Sequence, residues 1–380
     1  MMNNSSSTAV DMHNVVSSED VFSVIETSAK TLIANPELAG VIPAVMLRGA
    51  PGVGKSTIVR SVAEKLGIGF IDVRLAQMER VDFAGLPSVK DGVTEWNVPA
   101  FWPRDPKSKG IILLDEITSA PADCQVAAYS VVLDRRIPNS GYTIPNGWLI
   151  VAAGNRTCDR AVVKAMSSAL ANRFVHFEVE ANSEDWVKWA TKNGIDHSVI
   201  GFISYRPNLL LKMEGQNLEQ GWPSPRSWER VSNCIRMFGG SSELLRKVVY
   251  GLVGNGAGVE FMEFFRVSAE FDGILEVMTN EDAEFTLPDK ADRRYAVASA
   301  VVYHLWNGKT DEETEKRING FYKILMKMPN DFAAMMARAA MLGNKSVAPM
   351  DAMMKLMKNK NFRPAAEKFK LTADRQFGTL

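Results

Sequence analysis

Apolar residues follow two rhythms along this chain. Short unbroken apolar runs, "IPAVML" (42–47), "IILL" (111–114) and "WLIVAA" (148–153), stop at glycine or at polar residues. Runs of this length, bounded by turn formers, predict strands buried on both faces, as in a parallel sheet. Other stretches carry apolar residues at helical spacing: "VFSVIETSAKTLIAN" (21–35), and "STIVRSVAEKLG" (56–67), which stops at Gly67. "SSALANRFVHFEVE" (167–180) reads as a short helix, then Arg173, then a strand of alternating character. From residue 183 on the rhythm is helical, over 183–212, 224–240 and 289–306. The last of these helices is expected to be capped by Asp289 after Pro288 and stopped at Gly308. No internal repeat is found. Strands alternating with helices, followed by helices alone, predict an α/β fold with a parallel sheet and then helical parts.

The candidate chemistry lies where apolar runs end. "IPAVML" leads into "RGAPGVGKSTIVRS" (48–61), in which Gly49, Gly54, Lys55 and Ser56 fit G-x-x-x-x-G-K-[ST]. Ala50, Pro51, Gly52 and Val53 fill the loop, and Thr57 follows on the helix. Glycines there let backbone N–H groups converge on phosphate oxygens, and the helix start adds its positive end. Lys55 is expected to reach the β- and γ-phosphates, and the Ser56 hydroxyl to coordinate magnesium. The second apolar run ends in Asp115 and Glu116. Asp115 then stands beside the loop and holds the magnesium shell, while Glu116 polarises a water for attack on the γ-phosphate. The third run ends at Asn155, either a group that orients that water or part of an ordinary Gly-Asn turn. Arg173 stands at a helix–strand boundary from which it can point to a neighbouring subunit. Arg226 follows Pro225 at the first turn of a helix, from which it can fold back on the phosphates.

These five pieces, in this order and spacing, resemble the AAA+ ATPases, and within them the MoxR branch of the dynein-related AAA_5 group. The likeness covers residues 20 to about 235. It implies Walker A at Gly49–Ser56, Walker B at Ile111–Glu116, sensor 1 at Asn155, the arginine finger at Arg173 in "ANRF" and sensor 2 at Arg226 in "SPRSW". Arg156 and Arg160 lie near enough to compete for the finger role. Residues 78–103 and 135–148 stand where the branch has its helix-two hairpin insert and its hairpin before sensor 1. The resemblance implies a tail over 1–19, an αβα domain over 20–181, a helical lid over 182–240 and a C-terminal helical domain over 241–380. It also implies ATP and Mg2+ as cofactors, a homo-oligomeric ring, usually a hexamer, and work on a partner such as a von Willebrand A domain protein. A slowly hydrolysing nucleotide switch or scaffold, and a nucleic-acid-directed motor or loader, are the alternatives.

Composition narrows the partners. The 380 residues suggest two or three domains, and 46% apolar with 23% charged residues is ordinary for a soluble protein. A formal net charge of +0 weighs against nucleic acid or an anionic membrane. No apolar run is long enough to span a bilayer, and the N-terminus has no secretory pattern. Cys124, Cys158 and Cys234 offer neither a disulfide framework nor metal-ligand spacing, and His13, His176, His197 and His304 stand apart. A cytoplasmic protein is expected. Three features stay open. Trp96, Phe101 and Trp102 in the insert either face a client or pack beneath it. Nine methionines between Met326 and Met357 either fill a core or form an adaptable surface. The basic end, from Lys355 to Arg375, is either a solvated face or a contact for an acidic partner or nucleic acid.

Overall fold

The structure is a computed structural model and describes residues 15–159, 164, 166–213, 215, 218–239 and 241–370. The apolar runs form strands as expected. Among the described residues the strands are β1 (Val15–Val16), β2 (Ala44–Arg48), β3 (Gly69–Arg74), β4 (Leu86–Lys90), β5 (Val93–Asn97), β6 (Gly110–Asp115), β7 (Trp148–Gly154) and β8 (Phe174–Val179). Six of them make a parallel sheet in the order β1-β8-β2-β7-β6-β3. Residues of β2, β6 and β7 are buried almost throughout, which is why these three read as unbroken apolar runs. The register sets Arg48 opposite both Gly154 and Glu178, and Arg74 opposite Asp115. The carboxyl ends of these strands therefore share one rim. Both neighbours of β2 come later in the chain, so the loop after β2 opens at the switch point where α/β sheets bind ligands.

Five helices accompany these strands among the described residues: α1 (Ser18–Ala34), α2 (Lys55–Leu66), α3 (Arg80–Ala84), α4 (Ala122–Asp134) and α5 (Ser168–Ala171). Helix α1 starts three residues before the expected Val21, because Ser17 and Asp20 form a reciprocal capping box. Val15 and Val16 pair with Glu178 and Val179. Residues 15–19, expected in the tail, thus belong to the fold; the rest of that segment lies outside the described residues.

The insert is a β4–β5 hairpin closed by Asp91 and Gly92, both at positive φ (52° and 76°) as a two-residue hairpin turn requires. Leu86, Val89 and Val93 on it are exposed. Trp102 settles its own open question, since it is only 1% exposed. Its indole lies edge-on to Phe83 with centroids 5.2 Å apart, and its N–H donates to the Phe83 carbonyl at 3.0 Å. A tryptophan is buried at low cost when its one polar group finds an acceptor, and Trp102 packs under the insert instead of facing outward. The second expected hairpin, within 135–148, is reduced to one bridge between Arg136 and Thr143. The Arg135 guanidinium fastens it by donating to the carbonyls of Pro145 (2.9 Å) and Trp148 (2.7 Å).

The chain divides into two compact units, residues 1–181 and 182–380. The described part of the second is helical: α6 (Ser183–Asn193), α7 (His197–Tyr205), α8 (Pro225–Phe238), α9 (Ser242–Ala269), α10 (Ile274–Thr279), α11 (Ala291–Leu305), α12 (Asp311–Leu325), α13 (Asn330–Met341), α14 (Pro349–Lys358) and α15 (Phe362–Phe369). Helix α9 breaks at Gly254, whose φ of 76° is non-helical. Phe202 of α7 packs against Trp228 of α8 and Phe261 of α9, so helices on both sides of residue 240 share one core. Asp289 does not cap α11. The cap position is Lys290, without a side-chain bond, and the helix ends at Leu305, before Gly308. There Trp306 turns inward and its N–H donates to the Ala340 carbonyl at 2.8 Å. The methionines divide: Met328 and Met336 are buried, whereas Met350, Met354 and Met357 are exposed along α14. Among the described residues no helix is long and apolar enough to cross a membrane.

Candidate functional site

The loop between β2 and α2 is built around backbone. A Cβ on Gly49 would lie 2.4 Å from the carbonyl oxygen of Val179, so this position accepts glycine only because β8 ends against it. Gly54, at φ 100°, stands at the helix N-cap and offers no side-chain cap. The first turn of α2, which includes the exposed Thr57, carries no acidic residue of its own, and its N–H groups form the kind of helix start that binds an anion. Ala50 and Val53 are buried and anchor the loop; Pro51 and Gly52 are half-buried over it. Lys55 is 9% exposed. Its ammonium donates to the carbonyls of Gly49 (2.7 Å) and Ala50 (3.1 Å) and to Asn155 Oδ1 at 3.2 Å. A buried ammonium needs such acceptors, and here they connect the loop to the end of β7.

Asp115 and Ser56 meet directly. The Ser56 hydroxyl donates to Asp115 Oδ2 at 2.6 Å, and the other carboxylate oxygen accepts the Glu116 N–H at 2.9 Å. Glu116 is not the last residue of β6. It occupies the left-handed region, at φ 57° and ψ 30°, in the turn after the strand. This conformation is unfavourable for a non-glycine residue, and such strain collects at functional sites. Asp72 on β3 lies close to Asp115: burial first, and then the Asp115 charge, push its carboxyl up against the pull of Arg74 and Arg60. Two hard oxygens in contact, one hydroxyl and one carboxylate, fit magnesium, which takes few protein ligands and fills its shell from phosphates and water. Among the described residues no group of three or more His, Cys, Asp or Glu is placed to hold a metal ion.

Asn155 is positioned by a residue the sequence did not single out. Its N–H donates to the Thr118 hydroxyl at 3.1 Å, and a Cβ on Gly154 would come within 2.6 Å of that same side chain. Thr118 is buried in the turn after Glu116, so it fastens the end of β7 to the acid pair. Nothing in "DEITSA" distinguishes it from an ordinary turn residue. Arg156 is also committed. It binds Asp159 through Nε (3.0 Å) and Nη2 (2.8 Å) and Glu178 through Nη1 at 2.7 Å. Its hydrogen bonds to Asp159 hold Arg156 above the usual arginine range, against the cost of burial and with help from Glu178. A guanidinium tied in this way is not available to a neighbour. Arg160 lies outside the described residues.

The remaining two arginines are held loosely. Arg173 immediately precedes β8, with its guanidinium 5.9 Å from the centroid of the Tyr129 ring and a long bond of 3.5 Å to the Tyr129 hydroxyl. Its Nε is buried without a partner, and no carboxylate pairs with it among the described residues. Arg226, in the second unit, is exposed in the first turn of α8, where no acidic residue offsets a cation at the positive helix end.

Residues 44–174 match the family model for "AAA domain (dynein-related subfamily)". A candidate adenylate kinase from Pyrococcus furiosus is 30% identical over 105 residues, 26% of this chain. The chain thus spans 56% of the length of that relative. Solved structures with a similar course include a candidate ATPase from Cytophaga hutchinsonii, 15% identical with a TM-score of 0.32, over 76% of this chain and 82% of that one. The Thermotoga maritima RuvB Holliday junction branch migration motor is 14% identical with a TM-score of 0.31, over 93% of this chain and 95% of that one. Likenesses that weak do not bear on function. The glycine loop, the acid pair and the Asn155 turn all fall inside the segment, residues 44–174, that is similar to the dynein-related AAA domain.

Proposed function

We propose that the protein binds ATP with Mg2+ and hydrolyses it within a homo-oligomeric ring, a hexamer in the simplest case, in order to remodel or activate a partner protein. The observation that carries this reading is the Ser56–Asp115 hydrogen bond of 2.6 Å, with Lys55 buried beside it and Glu116 next in the chain. The loop Gly49–Thr57 cradles the phosphates with backbone N–H groups. Lys55 exchanges the carbonyls of Gly49 and Ala50 for the β- and γ-phosphate oxygens. Ser56 and Asp115 would hold Mg2+, which when bound neutralises charge on those oxygens. Glu116 takes the proton of the attacking water, and Asn155 orients that water. Arg226, on a lid over 182–240, closes on the phosphates.

Arg173 acts on the ATP of the adjoining subunit. Its lack of a carboxylate partner among the described residues supports this role, since a cation meant for a neighbour's phosphate is left unneutralised at home. The exposed Leu86, Val89 and Val93 of the insert support a client-facing hairpin, because an isolated two-stranded ribbon is marginal until something covers it. A MoxR-like protein of the cytoplasm, with a von Willebrand A domain protein as client, is the finer form of the proposal; residues 241–380 would form its C-terminal helical part. Glu116→Gln tests the chemistry. It is expected to keep ATP binding and lose about 10²–10⁴ in turnover, measured as phosphate release. Turnover close to wild type would remove Glu116 from its role.

A further inference from the structure

Arg156 follows Asn155 directly, yet the phosphate site as read above does not use it. Its side chain is bound to Asp159 and Glu178 instead. Its backbone N–H and its guanidinium both bind Asp159, which is buried, so the turn 155–159 is closed on itself. Its remaining terminal nitrogen, Nη1, binds Glu178. Glu178 is no ordinary surface acid: it stands opposite Arg48, the last residue before the phosphate loop, and next to Val179, whose carbonyl abuts Gly49. The strand it belongs to, β8, begins one residue after Arg173 and ends two residues before the chain leaves the first unit at 181. One planar side chain thus joins the turn bearing Asn155 to the strand that starts beside Arg173.

We propose that Arg156 is a positioning residue that couples the presence of a γ-phosphate at Asn155 to β8, and through β8 to Arg173. The idea rests on the ATP-hydrolase reading of the site. A guanidinium suits the task because its donors are fixed in one plane. A displacement of the 155–159 turn is passed to Glu178 as a displacement of the strand and is not absorbed by a flexible stem. Lysine, a single charge on such a stem, cannot hold Asp159 and Glu178 at once. Coupling of this kind is reciprocal, so whatever the triphosphate does to β8, the position of β8 does to triphosphate affinity.

The test compares Arg156→Ala, Arg156→Lys, Glu178→Gln and Glu178→Ala in the full chain. Affinities for ADP and for a non-hydrolysable ATP analogue are measured beside kcat, KM and melting temperature. ADP affinity is expected to stay within about threefold of wild type while the preference for the triphosphate analogue over ADP collapses. Turnover is expected to fall about 10- to 100-fold, the size of effect seen when a partner that orients a functional group is lost, with KM for ATP rising in step with the lost affinity for the analogue. Arg156→Lys should recover only part of this. The double variant Arg156→Ala/Glu178→Ala should be no worse than the worse single, as for two halves of one link. Should Arg156→Ala fail to fold, Glu178→Gln, which keeps shape and removes charge, carries the same expectation. Parallel loss of ADP affinity, ATP affinity and melting temperature would reduce the contact to a structural one and overturn the proposal. So would additive singles, or Glu178 variants that behave as wild type. A wild-type chain that binds neither nucleotide would instead sink the hydrolase reading itself.

Discussion

The rim of the parallel sheet and the β4–β5 hairpin occupy the same unit and treat their side chains in opposite ways. At the rim, Lys55, Ser56, Asp115, Asn155 and Arg156 each have a named partner within the subunit. On the hairpin, Leu86, Val89 and Val93 have water. The first arrangement is knit together by hydrogen bonds among its own groups, which a bound ligand would have to exchange. The second leaves its apolar side chains uncovered by the rest of the unit. Arg173 lies between the two regimes, held by Tyr129 through weak contacts and by no carboxylate among the described residues. The contrast separates side chains satisfied within the unit from side chains left exposed on it.

The strongest way to break this contrast is Arg173→Ala. If Arg173 serves the adjoining site, turnover falls by about 10³ while nucleotide binding persists. Mixing this variant with Lys55→Ala, which loses binding, then restores part of the activity. Mixed rings that form and stay dead would return Arg173 to its own subunit. Next in size is Trp102→Ala, at the base of the insert. Trp102 belongs to the internally completed regime and its loss is expected to cost about 3–5 kcal/mol of stability, read by chemical denaturation. A loss under about 1 kcal/mol would mean that the indole is not part of the core.

Acid extends the comparison to the second unit. Burial, with His197 and then Arg317 adding to it, holds His304 down at about 4. A histidine depressed in the folded state contributes stability that is present above its ordinary value of 6.5 and lost as pH falls towards about 4. The melting temperature of the whole chain should therefore drop across that window, and His304→Gln should flatten the drop. The smallest effect belongs to the hairpin. Val89→Ser with Val93→Ser should leave stability within about 0.5 kcal/mol and basal turnover unchanged, while weakening whatever partner stimulates turnover. Collapse of basal turnover in rings that still assemble would move the hairpin into the catalytic machinery.

How much of this was legible beforehand depended on whether the constraint was local. The glycine loop and the acid pair are legible because the chemistry fixes residue types within a few positions of one strand end. The buried strands are legible because burial on both faces leaves no polar residue in the run. Thr118 was not legible, since its meaning comes from Gly154 and Asn155, which join it only when β6 and β7 pair. The Arg156–Glu178 contact needs β8 to return beside β2. Trp102 looked exposed among glycines and prolines because nothing nearby announces that Phe83 will offer it a ring and a carbonyl. Asp289 looked like a cap because a proline preceded it, and the helix started later than that local signal suggested.

The left-handed backbone at Glu116 has a consequence for anyone trying to make this protein sturdier. A residue without a Cβ adopts φ 57° freely, whereas glutamate is held there by its surroundings at a cost of about 1–2 kcal/mol. Glu116→Gly should therefore release that strain, offset in part by the greater freedom glycine has in the unfolded chain. A screen for heat resistance alone would favour the substitution, and each clone it selected would have lost the proposed base. Thermal selection on this protein has to be paired with a turnover assay, because at residue 116 the two properties pull in opposite directions.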